Sequence, residues 1–258
     1  MFNLKFATLA SVTIGAGLAS AQQLTLSSNC QTALSNVLTN ADTAACLNPS
    51  ALVSVALNGG NASIVDPINN WLTGFCNAAP CSNDTLSTAT RNLLSGCAAD
   101  LGPFSEGINA DEVVAQVQQI FPTFRKVACL KEGNSLCVTK VLTDAQNLLG
   151  TLSINNAMAV FAKARTLTEI PTNITCTNCV KAAYNIVKQD FPDAIPSQDV
   201  SSVCGASFID GNTPSGISQS LTDSGNKASN NNAALAQSVL GGIPVVGTLF
   251  ASAAFFML

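Results

Sequence analysis

The chain has 258 residues, 47% of them apolar and only 10% charged, with a formal net charge of −4 and no histidine. No run of Lys or Arg exists to neutralise phosphates, which excludes nucleic acid as a partner. The missing histidine removes the usual general base, the commonest zinc ligand and the ordinary pH switch together.

In chain order, Met1 to Ala21 places Lys5 before the apolar stretch Phe6 to Leu18 and ends on Ala19-Ser-Ala21. A basic start, an apolar run too short to span a bilayer and a small-residue site predict a secretory signal peptide over 1–21. Secretion decides how the ten cysteines are read: Cys30, Cys46, Cys76, Cys81, Cys97, Cys129, Cys137, Cys176, Cys179 and Cys204. An even count in an oxidising compartment predicts up to five disulfides, whose pairing the spacing leaves open. Three sequons suit the same compartment, at Asn61, Asn83 and Asn173, each just before or near the start of a predicted helix.

Helical period dominates residues 22–208. Ser28 with Gln31 reads as a capping box, followed by Cys30, Ala33, Leu34, Val37 and Leu38 on one stripe. Asn48-Pro49 starts a second helix that Gly59-Gly60 stops, and Asp66-Pro67 starts a third with Ile68, Trp71, Leu72, Phe75 and Cys76 on one face. A fourth begins near Asn83 and carries Leu86, Ala89, Leu93, Leu94 and Cys97. In three of these helices a cysteine lies on the apolar stripe, as bridges through a core require. Gly102-Pro103 to Gly107 breaks the pattern and divides the body into halves, 22–101 and 108–208.

The second half predicts helices over Asp111 to Phe121, Thr123 to Lys131, Ser135 to Leu152, Asn155 or Asn156 to about Thr168, Cys176 to Phe191 (capped by Thr175) and Asp199 to Phe208. Strand-like alternation is hard to find, so the expected fold is all-α: a disulfide-stapled bundle of about nine or ten short amphipathic helices. Each half holds five cysteines, beginning with a separated pair and continuing with a close pair and a single. That order allows a duplication, and five per half requires either a bridge between halves or a free thiol in each.

From 209 to 232 Ser, Asn, Gly and Thr dominate, which predicts a flexible stalk unable to offset its ordering entropy. Residues 233–258 end the chain in an uncharged apolar stretch, Val239 to Leu258. Small residues, a polar spacer and an apolar end have the layout of a glycosylphosphatidylinositol (GPI) attachment signal. Asn231 is the favoured attachment residue, with Asn226, Asn230 and Asn232 as rivals. A retained tail anchor is the competing reading, but Gly241-Gly242, Pro244 and Gly247 make a poor membrane helix.

Few motifs point to chemistry. Cys176-Thr-Asn-Cys179 has the spacing of a thioredoxin-type dithiol, but helices flank it where that fold needs strands. The stronger reading is one helix carrying two cysteines tied to two other helices. Glu106, Asp111 and Glu112 are the densest carboxylates, and Asp111-Glu112 fall in a first helical turn, where acids favour the dipole. Trp71, between Ile68 and Phe75 at helical spacing, reads as core. No catalytic, cofactor-binding or metal residue is expected, and no enzyme activity.

Two resemblances add to this reading. Cys176-TNCVKAAYNIV-Lys188 resembles the opening helix of saposin-type domains, which implies lipid binding, although the matching second C-x-x-C is absent because Cys204 stands alone. Gln22-QLTLSSNCQTALSNVL, Ala45-CLNPSALV, Asn70-WLTGFCNAAPCSNDTL and Gly96-Cys97 resemble a family of cysteine-rich secreted surface proteins of basidiomycete fungi, a domain of unknown function. That resemblance covers about Gln22 to Phe208 and implies no activity or catalytic residue. The adjacent cysteine doublets of hydrophobins and the C-x-C of the fungal haem-binding CFEM module are both missing. The expected protein is therefore a non-catalytic, GPI-anchored fungal surface or wall glycoprotein, bound to the membrane through its lipid and free to meet wall polysaccharide or surface proteins. The alternative is an extracellular lipid- or small apolar ligand-binding helical domain.

Overall fold

The computed structural model describes residues 26–52, 60–102, 107–156, 160 and 171–221. The leader, the tail, Glu106, Asn231 and its rivals, and most of the helix expected after Asn156 lie outside these residues. The fold is all-α with a small three-stranded sheet, and five disulfides staple its helices.

The first half is built from α1 (Ser28–Thr39), α2 (Ala41–Leu47), a 3-10 turn at Pro49–Leu52, α3 (Val65–Asn77), α4 (Asn83–Gly96) and the single turn α5 (Ala98–Leu101). Their starts are set by side-chain caps: Ser27 accepts from the Cys30 amide, Asn40 from Thr43 and Ser82 from Thr85, each satisfying an orphan amide of a first turn. The α1 cap is thus Ser27, one residue before the expected box, because the Ser27 backbone amide and hydroxyl are themselves held by Asp100 at 2.8 and 2.6 Å. The α1 stripe is only half covered. Cys30 and Ala33 are buried, whereas Leu34 and Leu38 remain 37% and 39% exposed.

The second half holds α6 (Ala110–Ala128), β1 (Leu130–Glu132), β2 (Ser135–Leu136), α7 (Cys137–Leu149), the turn α8 (Thr172–Thr175), α9 (Asn178–Asp190), α10 (Ser197–Cys204), a 3-10 turn at Ala206–Ile209, and β3 (Ile217–Gln219). Four expectations are corrected here. Helices expected on either side of Pro122 are one helix, α6. Proline removes a ladder bond and costs about 3 kcal/mol in a helix interior, but Val113 and Val114 before it and Thr123, Val127 and Ala128 after it are all buried, so packing holds both sides to one axis. The segment 130–136 is not helical: it turns at Gly133 (φ 59°) into a hairpin. The helix expected from Cys176 starts at Asn178 with Thr177 as its cap, since Cys176 ends the separate turn α8. Last, the stretch expected to begin a flexible stalk forms β3, antiparallel to β1 in the order β2-β1-β3. Ser220 N–H donates to Cys129 O at 3.0 Å and Gly133 N–H to Gly216 O at 3.1 Å. Backbone pairing orders this Ser-rich segment where its composition lacks the apolar content to do so.

The core is continuous across the expected division. Leu72, Phe75 and Cys76 of α3 pack against Ala128, Cys129 and Leu136, with Trp71, Phe121 and Phe124 around them. Trp71 stacks on Phe75 at 5.4 Å and donates its indole N–H to Leu47 O at 2.7 Å, so it is part of the core, as its spacing predicts. Arg125, 5% exposed, lies over the Phe75 ring at 5.2 Å and donates to the Ala78 carbonyl. Its Nη1 has no hydrogen-bond partner, and burial lowers its pKa.

The bridges are Cys30–Cys97, Cys46–Cys81, Cys76–Cys129, Cys137–Cys179 and Cys176–Cys204. Cys76–Cys129 joins the halves, the solution that five cysteines on each side require. The remaining pairings differ between halves: first with fifth and second with fourth in one, second with fourth and third with fifth in the other. The connectivity therefore does not repeat.

Candidate functional site

The sequence concentrates its reactive groups at Cys176-Thr-Asn-Cys179 and at the carboxylates that open α6. Cys176 and Cys179 do not pair with each other: Cys176 is tied to Cys204, the last residue of α10, and Cys179 to Cys137 at the head of α7. Every cysteine is bridged, so the C-x-x-C is a junction between three helices, and no thiolate is present to act as nucleophile or ligand.

Beside this junction Glu132 of β1 forms an ion pair with Lys140 of α7 and accepts from Asn178 Nδ2 of α9 at 3.1 Å. The Lys140 hydrogen bond, then that of Asn178, holds the Glu132 carboxyl below its ordinary range. A carboxylate stabilised in its charged form is a poor general acid; this one clamps β1 between two helices. Of the other dense carboxylates, Asp111 pairs with Arg91 of α4, and Asn109 Oδ1 accepts from the Asp111 amide at 2.9 Å. Glu112 lies in the same first turn, with Asn109 Nδ2 at 3.5 Å from its Oε1. Capping thus accounts for both. Lys126 and Thr123 converge on Asp190 at 2.8 and 2.6 Å, tying α6 to the end of α9. Among the described residues, no group of three or more His, Cys, Asp or Glu is placed to hold a metal.

The three sequon asparagines, Asn61, Asn83 and Asn173, are all exposed. Asn61 sits in a turn, its Oδ1 accepting from Asn155 at 2.9 Å; Asn83 opens α4 and Asn173 lies in α8. A glycan at any of them projects into solvent without disturbing the core.

Two spaces remain. One, inside the core between Val127, Leu130, Val141 and Val180, measures about 10 Å³, no more than one water. The other is an open groove of about 750 Å³ between α9 and the chain that runs from Ile209 into β3. Its apolar lining is Leu130, Ala182, Ile186, Ile209 and Ile217; Asn185, Gln189, Thr213, Ser218 and Gln219 supply amides and hydroxyls, and Lys188 supplies its one charge. Three contacts fix its walls. Asn185 Nδ2 donates to Asn212 O at 3.0 Å, Gln219 Nε2 to Lys126 O at 2.8 Å, and Tyr184 OH to Ser197 Oγ at 3.0 Å. Sequence reasoning missed this groove because one wall was assigned to the stalk. The available signal was a turn cluster, Thr213-Pro-Ser-Gly216, followed by Ile217-Ser-Gln-Ser-Leu221.

Among the described residues no helix is long and apolar enough to cross a membrane. Neither a family model, nor a curated protein, nor a solved structure matches this chain.

Proposed function

We propose that the chain is a non-catalytic, GPI-anchored glycoprotein of a fungal plasma membrane or wall, with a structural or interaction role. The observation that carries this reading is the complete pairing of ten cysteines into bridges that join nearly every helix to another. Such a framework forms and persists in an oxidising compartment. Exposed sequon asparagines, the leader-like start and the apolar end of the sequence support it further. Of the groups weighed for catalysis, Cys176 and Cys179 are engaged in bridges, and Asp111 and Glu112 in the cap and ion pair that open α6.

The alternative, an extracellular carrier of lipid or a small apolar ligand, is less well supported. The internal space of about 10 Å³ cannot seat an acyl chain, and the open groove mixes amides with its apolar floor. The test is expression of the full chain in a fungal host. Release from intact cells by a phosphatidylinositol-specific phospholipase, three glycosylatable asparagines with glycan on at least two, and no free thiol in the non-reduced protein are expected. Several free thiols, or retention of the apolar tail in the mature polypeptide, would overturn the reading. A lipid that co-purifies, is removed by delipidation and returns on addition would favour the alternative.

A further inference from the structure

We infer that the groove between α9 and β3 is a docking site for an extended polypeptide segment carrying a carboxylate, which adds as a fourth strand to the open edge of β3. This deepens the interaction role proposed above and depends on that role, but not on the anchor. Its basis is the direction of the backbone. Pairing of Gly216 with Gly133 and of Ser220 with Cys129 turns the even-numbered residues of this strand toward β1. In an antiparallel ladder the alternate residues then point their amides and carbonyls the other way. Those residues are Ile217 and Gln219. The Ile217 amide is taken up by Pro214 O at 3.4 Å, which leaves the Ile217 carbonyl and both backbone groups of Gln219 without a backbone partner among the described residues. Among the described residues β3 has β1 as its sole sheet neighbour.

An unpaired edge is a template for another strand, and natural proteins usually blunt it with charge, proline or a covering element. Here the strand residues are Ile, Ser and Gln, and the edge gives onto a ligand-sized cavity. Strand addition beside a helix is a recurrent mode of peptide recognition, in which main-chain bonds give affinity and alternate side chains give specificity. Ala182, Ile186 and Ile217 offer an apolar seat for one inward side chain of the guest. Asn185, Gln189 and Gln219 can meet its polar groups.

Charge selects the guest further. Lys188 is the one charged residue of the lining; its ammonium holds the carbonyls of Pro192 and Ile195, and it forms none of the ion pairs among the described residues. Asp190 and Asp210, next in sequence to the lining residues Gln189 and Ile209, are paired with Lys126 and Lys181. A carboxylate on the guest therefore meets a cation that has carbonyl partners but no acidic partner among the described residues.

The experiment pans a random-peptide library against the protein purified from a secreting host that expresses the full chain. The best peptide is then synthesised with its amides N-methylated in one alternate phase or the other. One phase should lose affinity by about tenfold or more, because it removes ladder hydrogen bonds, and the other should bind nearly unchanged. Gln219→Pro, which deletes an outward amide together with the side-chain bond to Lys126 O and leaves the bonds of Gly216 and Ser220 to the first strand, should weaken binding to a similar degree, with Gln219→Ala, which loses only the side-chain bond, binding more tightly than it. Lys188→Gln should flatten the salt dependence. If Gln219→Pro itself lowers the melting temperature, the N-methyl pair alone decides. Equal binding of both N-methylated forms, selection of peptides without carboxylates, or no peptide above background would each overturn the inference. None of these outcomes bears on phospholipase release or thiol content, so failure here leaves the surface reading standing.

Discussion

Substituting Gly96 by Ala should destabilise the protein, although intrinsic propensity argues for the opposite. Alanine in a helix is better than glycine by about 1 kcal/mol, and Gly96, the last residue of α4, does not require a left-handed backbone. Its surroundings decide the sign. A Cβ at 96 would press against the Ala33 methyl of α1, far inside van der Waals contact, and would sit 3.1 Å from the Asn29 carbonyl. Relief requires moving α1 from α4 by roughly an ångström, but the next residue, Cys97, is bridged to Cys30 with a Cα separation of 4.2 Å. The helices cannot part there. Overpacking of this kind costs about 1–3 kcal/mol, so after the propensity gain Gly96→Ala should lose up to about 2 kcal/mol net. The check is a double-mutant cycle by urea denaturation without reductant. Ala33→Gly alone should lose about 1 kcal/mol by propensity, and adding Gly96→Ala to it should be neutral or stabilising. The two changes would then couple by about 1–3 kcal/mol. A Gly96→Ala protein more stable than wild type, or additivity within about 0.3 kcal/mol, would refute the close approach of α1 and α4.

Further outcomes are open to measurement. Pro122→Ala should raise stability by about 1–3 kcal/mol in thermal or urea unfolding, because Pro122 is exposed and removes a ladder bond inside the continuous helix α6; a loss would mean that the helix is broken there. Replacing Cys76 and Cys129 together by alanine reopens a separation of 53 residues and should cost about 4 kcal/mol by chain entropy alone, with far-ultraviolet circular dichroism retained; a loss below about 1 kcal/mol would contradict the bridge. Glu132 should give a signature in acid. Its folded pKa is lowered, chiefly by the Lys140 hydrogen bond, so its stabilisation is complete above the unfolded pKa and is lost as pH falls through the ordinary carboxylate range to the folded value. Wild type should therefore lose stability relative to Glu132→Gln as pH drops below about 5, and parallel pH profiles would exclude the clamp.

How much of this was legible in the sequence depended on the kind of interaction. Apolar period is written residue by residue, so α3, α4 and α7 were recognisable from Leu72, Leu86 and Val141, all of them buried. Cap chemistry is equally local but shifts easily: Ser27 and Ser28 are adjacent and both suitable, and a remote carboxylate, Asp100, selects the first. Long-range pairing was not legible. Nothing in the spacing distinguishes a Cys76–Cys129 bridge from its alternatives, and three strands of two or three residues are too short for alternation to register. The apolar stripe of α1 predicted burial for Leu34 and Leu38, which the neighbouring helices do not supply.

The groove combines these limits, because each wall depends on a different level of information. The α9 wall follows from helical period, whereas the β3 wall exists through backbone bonds to β1, a strand fixed in turn between α7 and α9 by Glu132 and the Cys137–Cys179 bridge. The same dependence places the groove in the molecule. β3 ends two residues before the last described position, Leu221, and about ten residues separate Leu221 from the favoured attachment residue, Asn231. Ten residues reach at most about 35 Å even when fully extended. With a lipid attached at Asn231, Leu221 at the end of the β3 segment would stay within that distance of the attachment residue. A guest for the groove would then have to be presented near the membrane, as by a neighbouring surface protein or the inner wall layer. A panned peptide that binds the purified protein but not the protein on intact cells would mean that this edge is already occupied there, and blocking by a soluble Gln219→Pro competitor should fail.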